Sequence, residues 1–119
     1  MGLELPLRQD VAELWPEAVC IGGDERRMQW ANPAAAELFG IPGEEAVGYS
    51  GLDFVHPDDL QLAAVSLSSM LQKEIGSPIE VRIRGAEGWR LVEVVGRRID
   101  DGVVMTMRDL TERRRWEVT

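Results

Sequence analysis

Two short clusters carry residue types that can do chemistry. Gly22-Gly23-Asp24-Glu25 sets two glycines against two adjacent carboxylates. That composition suits a Mg²⁺-dependent nucleotide site, and equally a hairpin turn in which glycine supplies positive φ and aspartate bonds its own backbone. His56-Pro57-Asp58-Asp59 sets an imidazole beside two carboxylates, common metal ligands. The same four residues read as a helix start, with Pro57 in the first helical position and the aspartates at the positive end of the helix dipole. His56 is the only histidine, so a tight transition-metal site would have to be assembled from carboxylates, and the helix start is the favoured reading. Cys20 is the only cysteine, which leaves no partner for an internal disulfide or a metal cluster and suits a reducing cytoplasm. Nowhere does a nucleophile stand in partnership with a base, and no glycine loop leads into a helix in the pattern that cradles phosphate. No catalytic residue and no metal ligand is expected.

The elements that must position these residues are bounded by composition. A chain of 119 residues, 45% hydrophobic and 29% charged, fits one compact globular domain. Its net charge of −8 repels nucleic acid and anionic membrane surfaces alike, so neither is an expected partner. The basic run Arg113-Arg114-Arg115 reads as the solvated face of a terminal helix. Glu4, Arg8 and Asp10 interrupt the N-terminus, which is therefore neither signal peptide nor membrane span, and no apolar run reaches spanning length. The chain reads as soluble and cytoplasmic.

Along the chain, Leu7, Val11 and Leu14 at helical spacing predict a short helix over 7–14, stopped by Pro16. Ala18 to Ile21 are β-prone, the Gly-Gly-Asp-Glu turn follows, and Met28 and Trp30 alternate with Arg27 and Gln29, giving a hairpin. Asn32 as N-cap and Pro33 as first helical residue open a helix that ends at Gly40. Gly43, Gly48 and Gly51 punctuate very short helices. A longer helix opens at His56-Pro57-Asp58-Asp59, keeps Leu60, Ala63, Ala64, Leu67, Met70 and Leu71 at helical spacing, and stops at Gly76 and Pro78. Ile79, Val81 and Ile83 begin a run of three strands, turned at Ala86-Glu87-Gly88 and Asp100-Asp101-Gly102. Two early strands and three late ones around a helical middle make an α+β domain, one antiparallel sheet with helices on one face.

Three stretches in this order, "WANPAAAELFG", "GLDFVHPDDL" and "GWRLVEVVGRRIDDGVVMTMRDLTERRRWE", resemble the PAS domain family over residues 17 to 117. The resemblance implies a five-stranded sheet in the order 2-1-5-4-3, a cleft between sheet and helices, and a non-catalytic sensory or dimerising role in a larger signalling protein. Residues 1–16 then form a flanking helix, 17–109 the PAS domain and 110–119 the start of an exit helix. Gly-Gly-Asp-Glu is most of the diguanylate cyclase signature. In that family it lies deep inside the domain and is normally followed by Phe, whereas here 21 residues precede Gly22 and Arg26 follows Glu25. A turn is the better reading.

The cleft of such a fold gives the candidate ligand site. Its apolar lining would come from Val19, Ile21, Met28, Trp30, Phe39 and Phe54 in the first half, and from Met70, Ile83, Val92, Val94, Met105 and Met107 in the second. Leu38, Leu67, Val81 and Val103 join them as filled core or as the wall of a cavity, with the Trp30 indole N–H available to orient a ligand. Haem-binding relatives ligate iron through a histidine of the long helix, and Leu60 to Glu74 contain none. Light-sensing flavin binders carry Asn-Cys-Arg-Phe where this chain has Ser50-Gly51-Leu52-Asp53, and amides where it has Ile83, Val92 and Met107. Haem and covalent flavin are thus not expected, and the ligand is left unnamed. Asp109 and Thr111, matching the family's Asp-x-Thr exit, are the expected relay: Thr111 as helix N-cap, Asp109 bonding across the junction or pairing with an arginine. Leu91, Glu93 and Val95 face away from the helices, which with Leu14 and Trp15 suggests a homodimer or a docked N-terminal helix on that side. The effector would follow Thr119.

Overall fold

A computed structural model of the chain describes residues 13–23, 27–70, 76–99 and 102–111. Five strands, β1 (Ala18–Gly22), β2 (Met28–Ala31), β3 (Ile79–Gly85), β4 (Gly88–Ile99) and β5 (Gly102–Asp109), pair antiparallel in the order β2-β1-β5-β4-β3. Between β2 and β3 run α1 (Pro33–Phe39), α2 (Gly43–Ala46), two 3-10 turns (Gly51–Phe54 and Pro57–Asp59) and α3 (Leu60–Met70). The helical layer covers one face of the sheet, its inner face, as the α+β reading requires. Of the helix expected over 7–14 only Glu13 and Leu14 are described, both helical. The rest of it, and the exit helix beyond Thr111, lie outside the described residues.

Asn32 explains how β2 turns into α1. Its side chain is buried, and Oδ1 accepts from Val19 N–H (2.9 Å) in β1 and from Ala35 N–H (2.9 Å) in the first helical turn. Nδ2 donates to the Glu17 carbonyl at 3.0 Å. One amide thus caps the helix and ties it to the central strand. At the other end Gly40 adopts φ 76° and donates its N–H to Ala36 O. A Cβ there would fall 2.6 Å from Ala86 Cβ, so both conformation and space require glycine.

Both edges of the sheet are covered by the crossing chain, which removes open templates for mispairing. On the β2 edge Met28 N–H donates to Tyr49 O and Gly48 N–H to Met28 O; on the β3 edge His56 N–H donates to Arg82 O. Within α3, Ala63, Ala64 and Leu67 turn inward, but Leu60 is exposed, contrary to its expected inward position.

Three facings differ from the expected alternation. Strand β1 is buried at all five positions, so periodicity gives no phase. Cys20 and Gly22 face the helices, in register with Met105 and Val103 of β5, while Val19 (1% exposed) and Ile21 (5%) point to the opposite face. Trp30 follows Ile21 to that outer face. The pairs Ile21↔Trp30 and Gly22↔Met28 leave Gln29 as an extra residue, a bulge that flips the alternation so that Met28 points in and Trp30 out.

Candidate functional site

A cavity of about 240 Å³ lies between the inner face and the helical layer. At one end its walls are Phe39 of α1 and Val81 and Ile83 of β3, with Ile79 and Val94 adjoining, side chains that fill their space. At the other end glycines line it: Gly22 on the inner face of β1 and Gly96 on that of β4, with Gly102 at the start of β5, one residue before the inward-facing Val103, and Gly51 and Gly76 entering from the helical layer and the approach to β3. These positions add no side chain to the cavity. A Cβ on Gly22 or Gly51 would meet only ordinary contacts, Arg27 O and Met105 Cε at 3.7 Å. Gly102 is closer, its Cβ colliding with Gly22 O, so there β5 and β1 approach too tightly for any side chain.

The middle of the cavity is lined by sulfur. Cys20, Met28, Met105 and Met107 share the inner face of β1, β2 and β5, and Cys20 pairs directly with Met105. Thioether side chains adapt their shape and favour polarizable partners. Burial pushes the Cys20 thiol up to about 12, so it remains a protonated, unreactive wall group at neutral pH. Ser50, Ser66 and Ser77 supply hydroxyls, and Arg98 is the one charged side chain among the described wall residues.

Of the residues expected to line the cleft, the structure brings together Met28, Phe39, Ile83, Val94, Met105 and Met107. Phe54 stands behind the wall, stacked on Phe39 at 4.6 Å between ring centroids, with Tyr49 edge-on at 5.9 Å. Val92 is fully buried in the core rather than on the cavity surface. Val19 and Ile21 are on the far face. Trp30 instead lines a shallow groove with Glu13, Pro33, Glu44 and Val47, so its indole does not orient a ligand in the cavity. The Met70 side chain lies outside the described residues. Sequence reasoning missed Cys20, Arg98 and the glycines. Arg98 leaves a signal in the β4 alternation, since it shares parity with Val94 and Gly96.

The two clusters that drew attention for chemistry have other uses. Gly22 is paired within the sheet and Gly23 N–H donates to Arg27 O, while Asp24 and Glu25 lie outside the described residues. Neither glycine has positive φ, contrary to the reason given for them in a turn. His56 is a cap: Nδ1 accepts from Asp58 N–H at 3.0 Å, and its ring rests 4.5 Å from that of Trp89. Among the described residues no cluster of His, Cys, Asp and Glu is arranged to hold a metal ion. The described cavity wall offers no Asn, Gln or His side chain, so it lacks the amides that would meet a flavin ring edge and the imidazole that would ligate haem iron.

The sequence matches the family described as PAS fold over residues 12–115, most of the chain. It belongs to the PAS family. Solved structures agree in fold. A PAS domain from Colwellia psychrerythraea superposes with TM-score 0.79 at 17% identity, covering 87% of this chain and 93% of that one. The PAS domain of the Cronobacter turicensis RpfR quorum-sensing receptor, solved in complex with BDSF, gives 0.72 at 16%, covering 82% and 96%. A domain of a sensory box sensor histidine kinase/response regulator from Geobacter sulfurreducens gives 0.74 at 20%, covering 85% and 90%. No curated protein matches the sequence. Among the described residues no helix is long and apolar enough to cross a membrane.

Two carboxylate–arginine pairs lie at the packed end of the sheet, where Arg82 pairs with Leu91 and Asp109 with Val92. Asp59, just before α3, binds Arg82 of β3 three ways: Oδ2 accepts from the backbone N–H (2.8 Å) and Nε (2.9 Å), and Oδ1 from a terminal guanidinium nitrogen (2.9 Å). The Arg82 guanidinium and N–H hold the Asp59 carboxyl down at about 2. At the exit Asp109 divides its oxygens, Oδ1 accepting from Thr111 N–H (2.8 Å) and Oδ2 from Arg90 Nε (2.9 Å). Partial burial raises the Asp109 carboxyl, and the Thr111 and Arg90 bonds outweigh it, leaving the group below its ordinary range. The Thr111 hydroxyl accepts from Leu91 N–H at 3.1 Å, and buried Leu110 donates its N–H to Leu91 O. Every described bond at the exit therefore runs to β4 or to the residue two positions away.

Proposed function

We propose that this PAS domain is a non-catalytic sensor and relay module that takes a small apolar ligand into the cavity and passes a conformational change through the exit helix to an effector after Thr119. The observation that carries this reading is the cavity itself: about 240 Å³, apolar in most of its wall, and lined toward one end by Gly22, Gly96 and Gly102. That volume lies just below the ~300–1,000 Å³ typical of ligand sites, which favours a small occupant. The RpfR neighbour, a PAS domain solved in complex with BDSF, is consistent with a PAS domain serving this use, and the Geobacter neighbour with a place in a larger sensor protein. The relay would run through Met105 and Met107, which line the cavity on the strand that leads two residues later to Asp109. A ligand that binds one arrangement of β5 better shifts the population of exit-helix orientations. We place the domain in the cytoplasm, with residues 17–109 as its body, and assign it no nucleic-acid or membrane contact.

A second reading has its own support. Leu14 (86% exposed) and Trp15 (44%) lie in the N-terminal flank before β1, and a homodimer joined through them would need no ligand. Native mass spectrometry with a thermal-shift screen of small apolar molecules separates the two. A reproducible non-covalent adduct with a raised melting temperature is expected; a clean apo mass with no shift across the panel leaves the dimerisation module. Light scattering at high micromolar concentration tests the dimer directly, and a monomer there removes it.

A further inference from the structure

The chain's only cysteine and three of its five methionines meet on one wall of the cavity. Cys20 stands at the centre of the group, on β1, with thioether residues on both neighbouring strands. Met105 of β5 is its direct cross-strand partner, and Met107 follows two residues later on the same face. On the other side Met28 of β2 pairs with Gly22, two residues from Cys20, and the bulge at Gln29 turns it inward. Directly opposed residues in a sheet hold their Cβ atoms about 5 Å apart, and same-face or diagonal neighbours about 7 Å. A methionine side chain, unbranched and with three rotatable bonds, spans either gap, so the four sulfurs can converge on one point above the sheet. That point is open, because all four side chains border the cavity, and Cys20, Met28 and Met107 are buried, which keeps bulk water from it.

We infer that this sulfur group is a binding site for Cu(I), with Cys20 as thiolate ligand and Met28, Met105 and Met107 as thioether ligands. On binding, the Cys20 S–H bond breaks, its proton leaves to solvent, and its electron pair forms the Cu–S bond; copper stays Cu(I) and nothing is oxidised or reduced. Thiolate and thioether are the soft donors that select Cu(I) over harder divalent ions. Charge makes the same choice. One thiolate cancels one positive charge, so Cu(I) enters the apolar wall as a neutral complex, whereas Zn(II) would leave a net charge buried there. The net charge of −8 favours the approach of a cation. Such a site needs no histidine, second cysteine or carboxylate, the groups whose lack argued against a metal cluster in the sequence. It uses the wall of the cavity and stands independently of the apolar-ligand reading.

Titration of the full chain, without oxygen, with Cu(I) held by the chromophoric chelator ferrozine tests this. One Cu(I) per chain is expected to pass from the chelator to the protein, with X-ray absorption showing sulfur as the only type of ligand at the metal. Cys20→Ser should weaken the binding by about a hundredfold, and Met105→Leu and Met107→Leu by about tenfold each. Leucine conserves the volume of methionine, so a role in packing alone would leave copper binding unmoved. The double variant Met105→Leu/Met107→Leu keeps the thiol in place and tests the thioethers even where Cys20→Ser fails to fold. No transfer of copper, transfer unchanged by the double variant, or Zn(II) bound through Cys20 as tightly as Cu(I) each overturns the site. All three leave the apolar-ligand reading standing, since the thermal-shift screen decides that one.

Discussion

Where β3 and β4 join, the inner face is built from Val81 and Ile83, buried side chains locked to the helical layer by the Asp59–Arg82 clamp and by the Val55↔Ile83 bridge. Toward the far end of β4 the same face carries Gly96 and, across β5 on β1, Gly22, with Gly102 beside them and the exposed Arg98 at the rim. The first end supplies packing, the second supplies space. A PAS fold of this size can keep a hole in its core when stability and vacancy sit at opposite ends of one sheet, so that emptying or filling the glycine end is expected to leave the packed end undisturbed.

The sharpest way to break this division is at the packed end. Ile83→Ala removes a buried side chain where the walls are least able to collapse, and urea denaturation should show a loss of about 2–5 kcal/mol. A loss below about 1 kcal/mol would mean that the β3 end is as loosely packed as the glycine end. Asp59→Asn should act on the same end more mildly, lowering the melting temperature by about 5 °C. It should also change the acid limb. Because the Asp59 carboxyl is held at about 2 instead of the ordinary 3.8, its contribution is complete above about pH 4 and is lost as pH falls toward 2. The variant should lack that portion of the acid loss, which circular dichroism across pH 5 to 2 reads directly.

Cys20 lies between the two ends and gives an alkaline counterpart. Its thiol is raised from 9.0 to about 12, so the unfolded chain gives up the proton first, and stability falls as pH rises through 9 toward 12. The added slope should approach about 1.4 kcal/mol per pH unit and be absent in Cys20→Ala. The smallest expected effect is at the glycine end. Gly51→Ala has no positive φ to relieve and meets only Met105 Cε at 3.7 Å, so stability should change by less than about 1 kcal/mol, with a slight gain as the favoured sign. A large loss would show that the glycine end is already filled.

These two ends were not equally legible in the sequence. The strands, the Asn32–Pro33–Gly40 helix and the order of elements follow from caps, turns and period-two runs, and the chain adopts them. The packed wall was legible too, because Ile79, Val81 and Ile83 alternate with charged residues on an edge strand. The cavity was not. Glycine reads as punctuation, so Gly22 looked like a turn and Gly76 like a helix stop, though both form the wall of a hole. The phase of β1 was hidden because a central strand apolar on both faces has no alternation to read. Trp30 was misplaced by a single bulged residue, Gln29, which no local pattern announces. His56 and Asp59 were rightly seen as a helix start, but the Arg82 partner, 23 residues on from Asp59, depends on tertiary pairing.

Three of the chain's five methionines, Met28, Met105 and Met107, line the cavity from three different positions, and their ε-methyl groups are natural reporters of its contents. Methyl-¹³C methionine NMR during titration with the small apolar molecule that most raises the melting temperature in the screen therefore tests the central claim most directly. Saturable shifts of all three resonances, with one common affinity, are expected. Unchanged Met28, Met105 and Met107 methyl signals up to the solubility limit would contradict the account.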